Sequence, residues 1–122
     1  MKKLSIVVPC YNEEDVLELF YTELMKVINI IKEEYLYEII FINDGSTDGS
    51  LEILNDYAGS DSRLKLINQE NEGQGAARNH GIKLSQGEYI YFMDSDDILE
   101  LFALEELYNM SKSGDSVRVD FF

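Results

Sequence analysis

The 122 residues are enough for one globular domain with one core, and their 45% hydrophobic and 28% charged composition is that of ordinary soluble domains. The formal net charge of −14 argues against a nucleic-acid-binding protein and against electrostatic attachment to an anionic membrane surface. No stretch approaches the roughly 20 apolar residues that a membrane span requires, and the single cysteine, Cys10, has no intrachain disulfide partner.

The chain begins with a predicted strand and helix. Residues 4–8, LSIVV, form a continuous apolar run, which is typical of a strand buried on both faces. Asn12 is predicted to cap the following helix, whose first turn is acidic. The apolar face of that helix is predicted from residues at helical spacing: Val16, Leu19, Phe20, Leu24, Val27, Ile28 and Ile31.

The next segment repeats the strand–helix pattern. EIIFIN, residues 38–43, predicts a second buried strand, and the turn DGSTDGS follows it. Ser46 or Thr47 is predicted to cap a second helix that ends near Ala58. LKLI, residues 64–67, then predicts a third and shorter strand.

The last third continues the alternation. NEGQGAARNHG, residues 71–81, opens a third helix through a glycine-rich turn, and this helix is predicted to run to about Ser85. EYIYFMD, residues 88–94, predicts a fourth strand, and residues 103–110 predict a fourth helix. SVRVDFF, residues 116–122, resembles the beginning of a further strand. Strands that alternate with helices predict an α/β fold with a mostly parallel sheet and right-handed crossovers.

Polar residues follow three of the predicted strands. In a parallel α/β sheet, ligands bind at the carboxyl ends of the strands, so these three segments are expected to meet at one edge. The residues concerned are Cys10, Tyr11 and Asn12 after the first strand, Asp44 after the second, and Asp94, Asp96 and Asp97 after the fourth.

The acidic cluster in FMDSDD allows two interpretations. Three carboxylates held close together at a strand end suit a hard divalent cation, which prefers oxygen ligands and removes their mutual repulsion. Alternatively, Asp97 caps the next helix and the other two aspartates are solvated.

Each of the other candidate residues allows more than one interpretation when it is judged alone. The Asp44 carboxylate could accept hydrogen bonds from N–H groups of a ligand, or it could form an Asx-turn with the backbone of its own Asp-Gly-Ser sequence. Tyr11 suits stacking on a planar base, or simple cover of the sheet edge. Arg78 suits phosphate, although a surface ion pair with one of the many acids is favoured from the sequence context alone. Cys10 is expected to be a small buried residue near the site, and the single histidine, His80, has no assigned role.

Taken together, the motifs resemble a known family. SIVVPCYNEE, EIIFINDGSTDGS and NEGQGAARNHGIKLSQGEYIYFMDSDD, in this order and spacing, are similar to family 2 glycosyltransferases from about Leu4 to Leu107. The resemblance implies the Rossmann-like GT-A fold, a mostly parallel sheet with flanking helices, here incomplete at the C-terminus. It further implies that residues 1–122 are the nucleotide-sugar-binding half of such a domain and that the acceptor half is absent.

The resemblance also implies roles for residues near the first two strands. Pro9, Cys10 and Tyr11 match the segment that lines the nucleotide base, with Tyr11 placed to stack on it. Glu13 matches a recurrent acid of the same segment. Asp44 matches the aspartate that bonds the base, most commonly uracil.

The later motifs supply the remaining implied roles. Arg78 matches an arginine near the base and phosphates, which reverses the preference for a surface ion pair. Asp94 and the adjoining Ser95 are expected on the ribose and sugar side, and Asp96 is the expected ligand of Mg²⁺ or Mn²⁺. Asp97 is an additional candidate in this motif.

The implied activity is metal-dependent transfer of a sugar, with inversion, from a UDP-sugar to a saccharide or lipid-linked acceptor in cell-envelope polysaccharide synthesis. The catalytic base of the family lies in the second half of the domain, so no residue here is assigned as the base and residues 1–122 alone are expected to be inactive. The implied location is cytoplasmic, with membrane association left open for a longer protein.

Two alternatives come from other functional classes. An Asp-x-Asp motif also occurs in haloacid dehalogenase phosphatases, but there it follows the first strand and not the fourth. A non-catalytic module that binds a nucleotide or self-associates is the second alternative, because uncovered sheet surface and strand edges favour a homodimer.

Overall fold

A computed structural model describes residues 2–95 and 99–112 of the chain. Over these residues, strands and helices alternate strictly, as the apolar runs and helical spacings predict. The elements are β1 (Lys2–Cys10), α1 (Glu14–Ile31), β2 (Tyr35–Asp44), α2 (Ser50–Ser60), β3 (Leu64–Gln69), α3 (Gln74–Leu84), β4 (Tyr89–Phe92) and α4 (Leu99–Lys112).

The four strands form one parallel sheet in the order β3-β2-β1-β4. The β1–β2 ladder is the longest and runs from Lys2↔Tyr35 to Cys10↔Asn43. β4 pairs with β1 only as far as Val7↔Phe92. Because all strands point the same way, the loops that follow β1, β2, β3 and β4 leave the sheet at one edge.

Helices cover both faces of the sheet, which explains why the strands are continuous apolar runs and not alternating ones. On one face, Ile6 and Val8 of β1 belong to a core with Phe20 of α1, Leu54 of α2 and Leu104 of α4. On the other face, α3 packs on the sheet through a smaller core of four buried residues: Val7, Ile40, Ile42 and Ala77.

Most element predictions are confirmed, with β1 and β2 longer than expected and β4 shorter. One core assignment is wrong: Leu19 is 53% exposed, whereas Leu17 is fully buried. The two residues lie about 200° apart around the helix, so only one of them can face the sheet. The buried face is set by Leu17 and Phe20.

The predicted helix caps are also wrong. The N-cap of α1 is Glu13 and not Asn12, and the N-cap of α2 is Gly49 and not Ser46 or Thr47. Neither N-cap residue makes a side-chain capping hydrogen bond. The predicted strand at 116–122 lies outside the described residues.

Candidate nucleotide-binding site

A pocket that is partly open to solvent lies where the loops leave the carboxyl edge of the sheet. Four separate segments contribute to it, as the strand-end rule predicts. Six of the eight residues expected to bind nucleotide line it, together with a glutamine that was not predicted: Pro9, Cys10, Tyr11, Glu13, Asp44, Asp94 and Gln74.

The loop after β1 is held in place by the loop after β2. Asn12 has a left-handed backbone conformation with φ of 51°. Its Oδ1 accepts a hydrogen bond from the Thr47 backbone N–H at 2.8 Å, and its own N–H donates to Ser46 Oγ at 3.0 Å. These bonds let the DGSTDGS turn fix the loop that carries the neighbouring Tyr11.

The same two loops cap each other's helices. The N–H of Glu13 donates to Ser50 Oγ at 3.0 Å, and the N–H of Glu14 donates to Asp48 Oδ2 at 3.3 Å. In return, the N–H of Gly49 donates to Glu14 Oε2 at 3.0 Å. Helix starts need acceptors for their free N–H groups, and these three acceptors come from the other loop, although Asp48 Oδ1 also accepts locally from the Ser50 N–H at 2.9 Å.

Asp44 is 4% exposed and accepts three hydrogen bonds from the end of β3 and the loop before α3. Gln69 Nε2 and the Glu72 N–H donate to its Oδ1 at 2.8 and 2.9 Å, and the Gly73 N–H donates to its Oδ2 at 3.1 Å. Burial by itself would raise the pKa of Asp44, but these hydrogen bonds outweigh it and hold the pKa below its ordinary value.

The role of Asp44 in the free protein is therefore structural: its carboxylate ties the end of β2 to the loop before α3. The Asx-turn considered from the sequence is not what the hydrogen bonds show, since all three donors lie 25 to 29 residues away. An ionised carboxylate has about four acceptor positions, so about one position stays open on the pocket side.

Tyr11 and Cys10 differ sharply in their exposure to solvent. Tyr11 is 46% exposed at the pocket rim, which leaves its ring available for stacking. Cys10 is 1% exposed, and burial raises the pKa of its thiol to about 12. A thiol that stays protonated at neutral pH is a poor nucleophile, so Cys10 is a packing residue of the pocket wall, as expected.

Arg78 and Asp94 form a loose pair at the other side of the pocket. Arg78 Nη2 lies 3.7 Å from Asp94 Oδ1, within ion-pair range but too far for a hydrogen bond. Arg78 Nε, Asp94 Oδ1 and Ser95 Oγ are buried atoms with no hydrogen-bond partner within the described part of the chain. Buried polar atoms are nearly always satisfied, so such a group of three fits a polar ligand.

The predicted metal ligand Asp96 and its neighbour Asp97 lie outside the described residues. Within residues 2–95 and 99–112, no three His, Cys, Asp or Glu side chains are grouped closely enough to hold a metal ion. The unsatisfied Oδ1 of Asp94, two residues before Asp96, nevertheless fits a polar or cationic group at this end of the pocket.

Sequence reasoning missed two glutamines, Gln74 at the pocket and Gln69 against Asp44. A weak signal exists for Gln74, because it is the first residue of α3 after Gly73, which has φ of 94°. Gln69 ends β3 opposite Asp44 in the parallel register, a pairing that only the sheet order reveals.

The sequence comparison agrees with this geometry. The family model described as Glycosyl transferase family 2 matches residues 5–120. The chain belongs to this family. Its fold is the GT-A fold of family 2 glycosyltransferases, as the resemblance implied.

Several curated relatives are similar over most of this chain. A poly(ribitol-phosphate) beta-glucosyltransferase of Bacillus spizizenii is 43% identical over 93% of the chain, and a cholesterol galactosyltransferase of Borreliella burgdorferi is 39% identical over 93%. The poly(ribitol-phosphate) beta-N-acetylglucosaminyltransferase TarP of Staphylococcus aureus is 36% identical over 95%. The chain spans only 18%, 30% and 35% of the lengths of these three relatives.

Two solved structures are similar to this fold. S. aureus TarS 1-349 in complex with UDP is 32% identical, with a TM-score of 0.60 over 83% of this chain and 31% of that one. The mannosyltransferase PcManGT of Pyrobaculum calidifontis, in complex with GDP-Man and Mn²⁺, is 25% identical, with a TM-score of 0.64 over 78% of this chain and 28% of that one. Among the described helices, none is long and apolar enough to cross a membrane.

Proposed function

We propose that residues 1–122 are the donor-binding half of a metal-dependent glycosyltransferase and that the donor is a UDP-sugar. The observation that carries the proposal is the pocket at the carboxyl edge of the sheet, built by four segments of a chain that belongs to glycosyl transferase family 2. The structure of TarS with UDP, at 32% identity, supports uridine as the base.

The pocket offers a separate contact for each part of such a donor. The exposed ring of Tyr11 stacks on the base, within a segment that also includes Pro9, Cys10 and Glu13. Asp44 uses its remaining acceptor position for a base N–H. Arg78 faces the phosphates, and Asp94 with Ser95 meets the ribose and sugar, which satisfies the three buried polar atoms.

In this proposal, a divalent cation offsets the electrostatic repulsion between the protein and the donor. The diphosphate of the donor is anionic and the protein carries a net charge of −14, so the two repel unless a cation lies between them. Asp96 is the residue that would hold Mg²⁺ or Mn²⁺. When bound, the metal would supply stabilisation of the charge that develops on the leaving nucleoside diphosphate.

The acceptor is proposed to be a saccharide or a lipid-linked saccharide, in cell-envelope glycan synthesis. The relatives that act on poly(ribitol-phosphate) support an envelope polymer as the product class. Transfer with inversion needs a base that deprotonates the acceptor hydroxyl, and we assign that base to the acceptor half and not to residues 1–122. A cytoplasmic site of action is part of this proposal, with membrane association left to a longer protein.

Calorimetric titration of UDP tests the proposal. We expect the protein to bind UDP with Mn²⁺ present and to lose at least about tenfold in affinity when a chelator removes the metal. Asp96→Ala should weaken binding by about as much, because the cation loses its protein ligand. Asp56→Ala, which removes the same charge from an exposed position of α2, is the matched control and should bind like the wild type.

Equal binding of UDP by Asp96→Ala and wild type in Mn²⁺ would overturn the metal assignment. Binding of GDP or dTDP in preference to UDP would overturn the choice of base. Failure of all three nucleotides, in a protein shown to be folded by circular dichroism, would overturn the donor-binding proposal itself.

A further inference from the structure

A chain of partly buried hydrogen bonds links His80 to Asp44 through Gln69. His80 Nδ1 of α3 lies 3.1 Å from Gln69 Oε1 at the end of β3. Gln69 Nε2 lies 2.8 Å from Asp44 Oδ1 at the end of β2. β2, β3 and α3 are thereby joined through side chains alone.

The chemistry of the three groups fixes the direction of donation. An ionised carboxylate can only accept, so the Gln69 amide must turn its NH₂ group towards Asp44. Its carbonyl oxygen then faces His80 and can only accept as well. His80 must therefore carry a hydrogen on Nδ1, whether its ring is neutral or charged.

The same chain fixes where Asp44 can still accept. Gln69 and the Glu72 N–H together fill the two acceptor positions of Oδ1, and the Gly73 N–H fills one position of Oδ2. Both backbone donors come from the loop that precedes α3. The open position is thus on Oδ2, in the carboxylate that lines the pocket.

We propose that Gln69 is a positioning residue of the nucleotide pocket: with its amide oriented by His80, it holds the Asp44 carboxylate so that one oxygen faces the ligand. This inference rests on the proposed function, because it assigns Gln69 and His80 to the support of the same donor contact. Neither residue lines the pocket or touches the ligand in this arrangement.

Gln69→Met tests the proposal, since methionine keeps the length of the side chain but neither donates to Asp44 nor accepts strongly from His80. Gln86→Met makes the same chemical change at an exposed glutamine outside the pocket and is the control. Carboxyl ¹³C NMR reports the pKa of Asp44, ¹⁵N NMR reports the tautomer of His80, and calorimetry reports UDP affinity with Mn²⁺.

We expect the pKa of Asp44 to rise in Gln69→Met, because its carboxylate loses a donor, and UDP affinity to fall by about tenfold, the scale of one hydrogen bond to a charged group. His80→Phe should raise the pKa of Asp44 by less, since Gln69 then remains but loses its orienting partner. Gln86→Met should match the wild type in both measurements, and neutral His80 should show the Nδ1–H tautomer in the wild type.

An unchanged pKa of Asp44 in Gln69→Met would overturn the proposal, because a merely structural glutamine leaves that pKa alone. So would the Nε2–H tautomer of neutral His80, or a raised pKa of Asp44 together with wild-type UDP affinity. A wild-type protein that binds no nucleotide would refute the proposed function separately, while the pKa of Asp44 in Gln69→Met would still decide whether Gln69 holds the carboxylate.

Discussion

The carboxylate of Asp44 shows how one residue serves both fold and site. Its three donors lie 25 to 29 residues further along the chain, so the carboxylate is oriented only when β2, β3 and the loop before α3 are assembled. A conformation that is fixed before a ligand arrives lowers the ordering cost of binding. Asp44 is thus pre-organised by bonds that also stabilise the protein.

Asn12 combines a left-handed backbone with a hydrogen bond to Thr47, and two substitutions separate these contributions. Asn12→Ala loses the hydrogen bond and places a side chain with no local polar group at φ of 51°, so we expect a loss of about 2 kcal/mol. Asn12→Gly loses the same bond but tolerates the backbone, so it should lose about 1 kcal/mol less than alanine. Urea denaturation of both variants measures the difference.

Equal destabilisation by alanine and glycine at position 12 would show that the backbone conformation there stores no strain. A matched exchange at Asn55, an exposed residue of α2, provides the control, because glycine should be the worse of the two residues in a helix.

Glu38 is a buried acid with a purely structural environment. It is 2% exposed, its Oε1 accepts from Lys65 Nζ at 2.7 Å, and its Oε2 accepts from Ser5 Oγ and the Gln86 N–H, each at 2.6 Å. Burial would raise its pKa, but these hydrogen bonds together hold the pKa below the ordinary value of 4.5. The stability that Glu38 contributes is therefore present above pH 4.5 and is lost as pH falls through its lower folded-state pKa.

Glu38→Gln should cost about 2 kcal/mol of unfolding free energy at pH 7, because an amide cannot accept on both sides of the site. The cost should shrink as the pH falls below 4.5 and through the lower folded-state pKa of Glu38, because the wild-type carboxyl then becomes protonated as well. Chemical denaturation of both proteins between pH 3 and pH 8 measures the gap. A gap that stays constant across this range, or one as large for the exposed Glu33→Gln, would contradict the assignment.

At the scale of elements, the helices and strands follow from local patterns, whereas their ends do not. Apolar runs identify β1 and β2, and helical spacing identifies α1. Both patterns arise because the apolar residues are buried between the sheet and its helices. The start of α1 is capped by residues about 35 positions away, whereas the start of α2 combines one such contact with a local one, because Asp48 Oδ1 accepts from the Ser50 N–H at 2.9 Å. Tertiary contacts here override the usual preference for Asn, Ser and Thr as caps.

The glycines of α3 provide a test of how tightly this helix packs. A Cβ added at Gly81 would overlap the side chain of Val7 in β1, whereas a Cβ at Gly75 would meet nothing within 4 Å. Gly81→Ala should therefore destabilise the protein by about 1–3 kcal/mol, the usual cost of overpacking. Gly75→Ala should stabilise it by about 0.5–1 kcal/mol, because glycine is the poorer helix former.

Thermal and urea unfolding measure the stability of both variants. The comparison is matched because the two variants differ only in which glycine of α3 is replaced. A stabilising Gly81→Ala would mean that α3 can move away from β1 at no cost, against the close packing of protein interiors.

At the scale of the whole molecule, the position of the candidate pocket could be predicted from the sequence, whereas the hydrogen bonds within it could not. The rule that ligands bind at the carboxyl ends of parallel strands brings the predicted residues together, and six of them line one pocket. Gln69 and Gln74 were missed because their placement depends on strand order and on the backbone turn at Gly73. The assigned roles of the pocket residues stay predictions until a ligand is bound.

Protection from hydrogen exchange should follow the sheet order. β1 and β2 are buried on both faces and paired on both sides, so their amides should exchange only through large-scale unfolding. β4 pairs with β1 alone among the described strands and is only partly buried, so it should exchange faster. Exchange measured by mass spectrometry on peptides of the two regions tests this, and equally slow exchange in β4 would contradict it.

The sheet order also has a consequence for synthesis on the ribosome. β1 is made first but lies inside the sheet, and one of its neighbours, β4, begins only at Tyr89. Until that segment emerges, a nascent chain presents one side of an apolar strand without its partner, which is the kind of edge that invites misassembly. β1, the first strand to be made, is therefore the strand whose second edge stays unpaired longest during synthesis.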